Sequence, residues 1–314
     1  MQRIPPRQRQ WAIPVVFARS ASSNASQARS PVNLRKATLK VKVPNSQPRI
    51  DNQGLFKTYK PVSPGIRHLR RPVTDYLHKG DPFRPLTIAK RGTGGRAKGS
   101  TGRVTVRGRG GGHKRRIRLV DFKREDSGQK EFECVRIEYD PGRSAHLALL
   151  RRSSTGGTPT KSDYSYIIAP DGLRAGDIIK SWRKGLSTDP TTPQSGMPAD
   201  LQEALLRSAA LKPGNLLPLA DMPLGTPIHN ISLNPTGSAK LCRAAGAYAT
   251  VVAIGDHWAQ VKLTSGEVRK IHKTCTAVVG TVGNKLWSAK NQGKAGRNRW
   301  LGWKPKVRGV AMNA

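Results

Sequence analysis

The sequence predicts a mostly β protein with two strand-rich domains, a basic arm before them and a basic tail after them. Short segments that alternate apolar and polar residues recur in two stretches, residues 85–182 and 213–285. A stretch rich in Gly, Ser, Thr and Pro lies between them, within residues 183–212. Acidic residues occur only between Asp51 and Glu267, so both ends of the chain are purely cationic.

The net charge narrows the choice of partner. The 314 residues include 56 Lys and Arg but only 19 Asp and Glu, which gives a formal net charge of +37. Self-repulsion at this charge density opposes a compact free state, so we expect the chain to bind a polyanion. Because the charge is spread along the whole chain, it favours nucleic acid over a membrane surface or a merely solvated basic surface.

The cysteines and apolar runs argue against several other classes. Cys134, Cys242 and Cys275 lie far apart, without a CxxC pair or a companion histidine, which excludes a disulfide scaffold and argues against a zinc module. The longest apolar run, Trp11–Ala18, has eight residues and contains a proline, whereas a membrane span needs about 20. We therefore expect no membrane span, no metal and no cofactor.

The N-terminal region divides into two predicted parts. Residues 1–30 are rich in Arg, Ser, Gln and Ala and lack acid, a composition typical of an organelle transit peptide. The alternative is a basic arm that stays on the mature protein and binds RNA. Residues 31–84 contain many prolines and little periodicity, which predicts an extended arm.

The first strand-rich domain, residues 85–182, contains five candidate strands. Short strands at this spacing suggest a small barrel, for which the five-stranded oligonucleotide-binding (OB) barrel is one candidate. A change of phase near Cys134 predicts a β-bulge, and Pro170–Gly172 predicts a turn. The candidate strands are Arg103–Arg107, Arg116–Phe122, Glu131–Tyr139, His146–Arg151 and Tyr164–Ala169.

The linker at residues 183–212 contains one candidate helix. Asp200 and Glu203 form a possible capping pair before an apolar period, and Pro213-Gly214 ends it. In the second strand-rich domain, three segments separated by glycine-containing turns predict an antiparallel meander. These segments are Thr250–Ile254, Trp258–Thr264 and Val268–Ile271.

Residues 90–118 combine eleven Lys and Arg with nine Gly and no acid. An NTPase phosphate loop does not fit, because Lys98 precedes Gly99 instead of following it. A dinucleotide loop does not fit either, because Gly108–Gly112 is followed by a basic run. We predict that Gly110-Gly-Gly112 lets main-chain N–H groups approach phosphates, with a flexible solvated loop as the alternative.

No set of residues predicts catalysis. His113 has no nearby carboxylate or cysteine, so we interpret it as a phosphate or base contact, with a structural histidine as the alternative. His229 is interpreted as a hydrogen-bonded turn histidine. Trp300 is equally compatible with stacking on an unpaired base and with packing on the second domain, whereas packing there is favoured for Trp303. We therefore expect no enzyme.

An ordered series of motifs runs through residues 58–313. It comprises Gly102-Arg-Val-Thr-Val-Arg107, Arg109-Gly-Gly-Gly-His-Lys-Arg115, Asp121-Phe-Lys-Arg124, Arg136-Ile-Glu-Tyr-Asp-Pro141, Arg143-Ser-Ala145, Tyr166-Ile-Ile-Ala-Pro170, Pro213-Gly-Asn215, His229-Asn-Ile231, Arg243-Ala-Ala-Gly246, Ser265-Gly-Glu-Val-Arg269, Gly293-Lys-Ala-Gly296, Arg299-Trp300 and Val307-Arg-Gly-Val-Ala-Met-Asn313. Together these motifs resemble the second universal protein of the large ribosomal subunit, the L-two family, in a mitochondrial version.

The resemblance implies an OB barrel, then an SH3-like barrel, then an extended tail. It also implies a structural role in the large ribosomal subunit in the mitochondrial matrix, near the peptidyl-transferase region. The implied partners are large-subunit ribosomal RNA, neighbouring mitochondrial ribosomal proteins and the small subunit across the subunit interface. Two alternatives stay open: a free organellar single-stranded RNA-binding factor, and an RNA-processing enzyme built on the same two barrels.

Charge, glycine content and the resemblance together predict the residues that contact RNA. In the first domain they are Arg91, Arg96, Lys98, Arg103, Arg107, Arg109, Gly110, Gly111, Gly112, His113, Lys114, Arg115, Arg116, Lys123, Arg124 and Arg143. In the tail, residues 286–314, they are Lys294, Arg297, Arg299, Trp300, Lys304, Lys306 and Arg308. The tail has no apolar period, so we expect its partner to order it.

Overall fold

The strands of the computed structural model confirm a mostly β fold. The predicted transit peptide and the first part of the predicted arm lie outside the described residues, as do the predicted RNA contacts Arg91, Arg96 and Lys98. The structure describes residues 48–51, 53–90, 103–124, 131–152, 163–183, 185–186 and 199–311.

From residue 48 the N-terminal arm folds into a small antiparallel sheet. The Phe56 ring is buried, and Cζ of Arg70 lies 3.9 Å from its centroid. The extended arm predicted at residues 31–84 is therefore wrong for its described part, because strands of two or three residues are too short to show a period. The elements are β1 (Arg49–Ile50), β2 (Phe56–Thr58), α1 (Pro64–Arg67) and β3 (Arg70–Pro72).

A two-stranded ladder opens the first domain. Strand β4 (Thr87–Ala89) pairs antiparallel with β5 (Arg116–Arg118). Strand β5 ends earlier than predicted, and beyond it Val120 makes only a single parallel bridge with Tyr166.

The strand predicted at Arg103–Arg107 is wrong. Residues 105–108 form bends and turns instead. Val104 and Val106 are each more than half exposed, so their alternation with basic residues marks no buried face.

The main sheet of the first domain has four antiparallel strands. Their spatial order is β8–β7–β6–β9. The register shifts between Cys134 and Arg136, which confirms the predicted β-bulge. The strands are β6 (Glu131–Glu138), β7 (Leu147–Arg152), β8 (Tyr164–Ile168) and β9 (Ile178–Lys180).

Both faces of this sheet are apolar. Residues 147–150 in β7 are all buried, although successive side chains of a strand point to opposite faces. One face packs against Leu77 and Leu173, and the other against Phe83 and Val282. Segments before and after the sheet therefore complete its core.

The second domain follows helix α2 (Ala199–Ala210), which matches the predicted helix. Six of its strands form a sheet in the order β10–β17–β11–β14–β15–β16, and the predicted meander is β14–β15–β16. Its strands are β10 (Leu216–Pro218), β11 (Pro227–His229), β12 (Ile231–Ser232), β13 (Ala239–Leu241), β14 (Ala249–Ile254), β15 (Trp258–Leu263), β16 (Val268–His272) and β17 (Thr276–Val279).

Strict alternation places the core of the second domain on one face of the meander. In β15, Ala259 and Val261 are fully buried, whereas Trp258, Gln260 and Lys262 are exposed. The buried residues join a cluster that includes residues from every strand of the six-stranded sheet.

The tail has structure of its own, which corrects the prediction that only a partner would order it. Asn291 and Arg70 exchange two backbone hydrogen bonds, at 3.0 and 3.1 Å, so the tail extends the N-terminal sheet. Helix α3 (Ala295–Trp300) follows. Within the described residues, no helix is long and apolar enough to cross a membrane.

Candidate nucleic-acid interface

The glycine loop, residues 108–113, has a backbone conformation that residues other than glycine adopt only with strain. Gly110, Gly111 and Gly112 have φ angles of +152°, +62° and +96°. These values lie in the left-handed half of conformational space, where a Cβ atom is disfavoured.

Tail residues 300–304 run along the glycine loop. The N–H of Gly110 donates to the carbonyl of Gly302 at 3.0 Å, and the N–H of His113 donates to that of Trp300 at 2.9 Å. In the opposite direction, the N–H of Lys304 donates to the carbonyl of Gly108 at 2.9 Å. We call this set of hydrogen bonds the loop–tail ladder.

The loop–tail ladder explains the glycines differently from the prediction. A Cβ atom on Gly112 would lie 2.8 Å from both the nitrogen of Gly302 and the carbonyl oxygen of Trp300. The close approach made possible by glycine is therefore an approach of the tail. The N–H of Gly110, which was predicted to approach a phosphate, is bonded within the chain, and so is the N–H of His113.

Two arginines hold the loop and the tail together. Arg115 donates to the carbonyl of Pro141 at 3.3 Å and also to the carbonyl of Leu301. Cζ of Arg109 lies 3.5 Å from the ring centroid of Trp303, a cation–π contact. Trp303 therefore packs on the glycine loop. The prediction that it packs on the second domain is wrong.

An open groove of about 920 Å³ lies where the glycine loop, the tail and the end of β6 meet. We call it the loop–tail groove. Two aromatic side chains on it, Tyr139 and Trp300, are 54% and 57% exposed. None of the described residues that line it is acidic. Its cationic side chains are Lys114, Arg115, Arg118 and Arg299, and the His113 ring also lines it.

Four lining residues of this groove are absent from the predicted contacts: Arg118, Tyr139, Pro141 and Leu301. Tyr139 lies one residue beyond the end of β6 and carries no motif signal of its own beyond its place in Arg136–Pro141. Arg118 lies in β5, and its Nη1 donates to the carbonyl of Arg116 at 2.9 Å. Alternation of basic and apolar residues in β5 was the signal that could have identified Arg118.

Other cations of the tail lie near aromatic rings. Nζ of Lys294 lies 4.8 Å from the ring centroid of Trp300. Burial lowers the pKa of Arg297, and the neighbouring Arg71 lowers it further. A phosphate beside Arg297 would offset this repulsion.

Most of the predicted contacts are on the surface. Arg115 and Arg297 are half-buried. The exposed ones among the described residues are Arg103, Arg107, Arg109, Gly111, Gly112, His113, Lys114, Arg116, Lys123, Lys294, Arg299, Trp300, Lys304, Lys306 and Arg308.

Arg124 departs from the prediction because its side chain is buried. Its Nη1 donates to the carbonyl of Gly214 at 2.9 Å, and its Nη2 donates to that of Lys180 at 3.3 Å. Burial lowers the pKa of Arg124 to about 10. Arg124 thus ties the end of β9 to the start of the second domain and does not present its charge to a ligand.

Arg143 is also used inside the protein. Its Nε donates to Oδ2 of Asp140 at 2.6 Å, and its Cζ lies 5.6 Å from the ring centroid of Phe122. The side chain is half-buried, so a large part of its charge is already compensated.

The histidines and cysteines do not assemble into a reactive site. His229 is fully buried at the end of β11 beside the carbonyl of Gly280, with its Nδ1 2.8 Å from that oxygen. Burial lowers its pKa to about 4, with a smaller contribution in the same direction from the charge of Arg124. Burial raises the pKa of the Cys134 thiol to about 12. No group of three or more His, Cys, Asp or Glu suited to a metal occurs in the described part of the chain.

Two family models match the chain. The model for "Ribosomal Proteins L2, RNA binding N-terminal domain" matches residues 83–181. The model for "Ribosomal Proteins L2, C-terminal domain" matches residues 212–314. The glycine loop lies within the first match, and the tail lies within the second.

Individual relatives agree with the family models. "Large ribosomal subunit protein uL2m" of Schizosaccharomyces pombe is 51% identical over 262 residues, which are 82% of this chain and 70% of the relative. The protein of the same name from Neurospora crassa is 42% identical over 306 residues, 94% of this chain and 77% of the relative. "Large ribosomal subunit protein uL2" of Acinetobacter baumannii is 43% identical over 254 residues, 81% of this chain and 80% of the relative.

Proposed function

Because this chain belongs to the ribosomal protein L2 family, we propose that it is a structural, RNA-binding constituent of the large ribosomal subunit of mitochondria. The observation that carries the proposal is the match of both family models in the order in which the two domains occur. The mitochondrial location follows the two fungal relatives, which are named as uL2m proteins.

The surface chemistry supports ribosomal RNA as the ligand. Exposed arginines and lysines of the glycine loop and the tail bind phosphates, and each contact releases condensed counterions. Such contacts fix position and orientation without reading sequence. The net charge of +37, unsuited to a compact free protein, is neutralised when the chain is packed within folded RNA.

The remaining roles extend the same proposal. The chain acts by binding and positioning RNA, without catalysis of its own. It contacts neighbouring mitochondrial ribosomal proteins, supports the peptidyl-transferase region and meets the small subunit across the subunit interface. We also propose that residues 85–182 form the OB domain and residues 213–285 the SH3-like domain.

Salt-washed gradient fractionation of a mitochondrial lysate tests the proposal. At about 0.5 M salt the screening length is only a few ångström, so contacts between exposed charges are strongly weakened. We expect the chain to migrate with the large subunit under these conditions. Release to the top of the gradient would contradict the proposal and favour a free single-stranded RNA-binding factor.

A further inference from the structure

From the loop–tail groove, we infer that the chain takes up one unpaired nucleotide of its RNA there, with the base against Trp300 and Tyr139. This inference rests on the proposed function. It adds a site at which a base is held, beside a surface that otherwise contacts phosphate and sugar.

The aromatic side chains carry the first part of the argument. Trp300 and Tyr139 come from the tail and from the end of β6, and both line the groove with more than half of their surface exposed. In a soluble chain such rings gain most by covering another flat apolar surface. Stacking on a base meets this requirement and tolerates any base, because every base has a π face.

The charges carry the second part. The groove collects Lys114 and Arg299, both exposed, and none of its described lining residues is acidic. Lys294 adds a cation 4.8 Å from the ring centroid of Trp300. The phosphates on either side of a base seated on Trp300 therefore meet cations.

Arg118 adds a further cation to the lining of the groove. Its Nη1 donates to the Arg116 carbonyl at 2.9 Å, which holds the guanidinium beside β5. A positive charge fixed in this way attracts the phosphates next to the bound base.

The dimensions of the groove suit one nucleotide with its sugar and phosphate. Its volume of about 920 Å³ is near the upper end of the ~300–1,000 Å³ typical of small-ligand sites. A base within a double helix could not reach the aromatic rings of the groove, because both of its faces are stacked on neighbouring bases and its edge is paired. The groove therefore selects a nucleotide that is already unpaired or has been turned out of its helix.

A binding experiment with the full chain tests the inference. The probe is a fluorescein-labelled oligoadenylate octamer, alone or annealed to its complement. Tyr139→Ala and Trp300→Ala should each weaken binding of the single strand about tenfold, as expected for loss of one stacking partner. The salt dependence should stay unchanged, because neither variant removes a charge.

The matched control is Trp287→Ala. Trp287 is a tail tryptophan outside the groove that is 41% exposed and has Nζ of Lys290 4.2 Å from its ring centroid. This variant should bind the single strand as tightly as the parent chain, within about twofold. Tyr139→Phe and Trp300→Phe keep an aromatic face and should restore most of the affinity.

A second readout does not depend on affinity. An octamer carrying 2-aminopurine at one position should lose emission on binding, because stacking on an aromatic ring quenches this base. Quenching that persists in the combined Tyr139→Ala and Trp300→Ala variant overturns the inference. Equal loss of single-strand and duplex binding in the alanine variants also overturns it, because the groove would then contact the phosphate backbone that both probes share.

The outcome separates this site from the proposed function. If the chain migrates with the large subunit in the gradient but neither alanine variant alters single-strand binding, the inference that the groove holds a base is wrong. The proposed ribosomal role then stands. If the chain leaves the subunit, the proposed function fails, whether or not the groove binds the octamer.

Discussion

The hydroxyl of Tyr166 donates a hydrogen bond to Oε2 of Glu138 at 2.7 Å inside the first domain. The hydroxyl oxygen of Tyr166 accepts a hydrogen bond from the backbone N–H of Phe83 at 3.0 Å, and Oε1 of Glu138 accepts one from Nε of Arg136 at 2.8 Å. Burial and the neighbouring carboxylate raise the pKa of Tyr166, which keeps its proton in place. The segment that leads into β4 is thereby fastened to β6 and β8.

Tyr166→Phe should lower the free energy of unfolding by about 1–3 kcal/mol. The substitution leaves the N–H of Phe83 without its acceptor and removes one donor from buried Glu138. Urea denaturation of the purified chain measures the change. Tyr164→Phe is the control, because it keeps the ring that packs 4.8 Å from Phe83, and it should change the stability by less than about 0.5 kcal/mol.

Gly112→Ala should detach the tail from the glycine loop. Its new methyl group would meet backbone atoms of Gly302 and Trp300 at 2.8 Å, in addition to the strain of a positive φ. The strain of about 1–3 kcal/mol favours local opening of the tail, which exposes the bond after Arg299 to trypsin. Cleavage there should therefore accelerate on the order of tenfold.

Gly111→Ala is the matched control for Gly112→Ala. Its φ is also positive, but no atom lies within 4 Å of the added methyl group. Cleavage after Arg299 should therefore rise much less. Equal cleavage in both variants would show that strain, and not contact with the tail, explains the glycines.

Arg124→Met should destabilise the protein by about 3 kcal/mol in urea denaturation. Hydrogen bonds to a charged group contribute about 1.5–3 kcal/mol each, and this variant leaves the carbonyls of Gly214 and Lys180 unpaired. Lys123→Met changes an exposed neighbour and should have a small effect. A stability loss below about 1 kcal/mol for Arg124→Met would contradict the assignment of this residue to the interior.

Acid should destabilise the protein through His229. Its pKa is lowered to about 4 by burial, against about 6.5 in the unfolded chain, so protonation favours unfolding. The stability contribution is complete above pH 6.5 and is lost as the pH falls towards 4. At pH 5 the loss from this residue is about 2 kcal/mol.

The measurement is urea denaturation at pH 7 and pH 5 at constant ionic strength. His229→Gln should reduce the difference between the two pH values. Adding His146→Gln should reduce it again, because burial also lowers the pKa of His146 to about 4. An unchanged pH dependence in both variants would rule out these histidines as its source.

Lys114→Ala and Arg107→Ala should weaken RNA binding mainly through lost charge. Both side chains are exposed, and each variant should lower the slope of log K against log salt by about one. Titration of ribosomal RNA fragments at several salt concentrations measures the slope. Arg269→Ala is the control, because Glu267 already holds Arg269 at 2.7 Å, and it should leave the slope nearly unchanged.

The sequence predicts strands well where alternation is long enough to see. Strand β6, with its bulge, and strand β15 each have several residues in register with a buried face. The two- and three-residue strands of the N-terminal sheet were missed, since pairing with a distant partner and not a local pattern defines them. The segment Arg103–Arg107 shows the opposite error, because alternation there marks no buried face.

The candidate site was predicted in its residue types but not in its arrangement. Charge and glycine content point correctly to an exposed basic loop, yet they do not reveal that its N–H groups bond to the tail. Arg115 and Leu301 are 186 residues apart in the sequence, so no local rule relates them. Tyr139 can be identified as a groove residue only from the structure, because the contact between the loop and the tail creates the groove that it lines.

The 186-residue separation of Arg115 and Leu301 means that the contacts between the glycine loop and the tail form late in the folding of the chain. Synthesis at about 5–20 residues per second places roughly 10–40 s between the emergence of Arg115 and that of Leu301. Closing a loop of this length costs about 5 kcal/mol of chain entropy, beyond a constant. A chain whose tail has not yet folded back therefore exposes an open glycine loop without its groove, and only the fully folded chain offers RNA the complete surface.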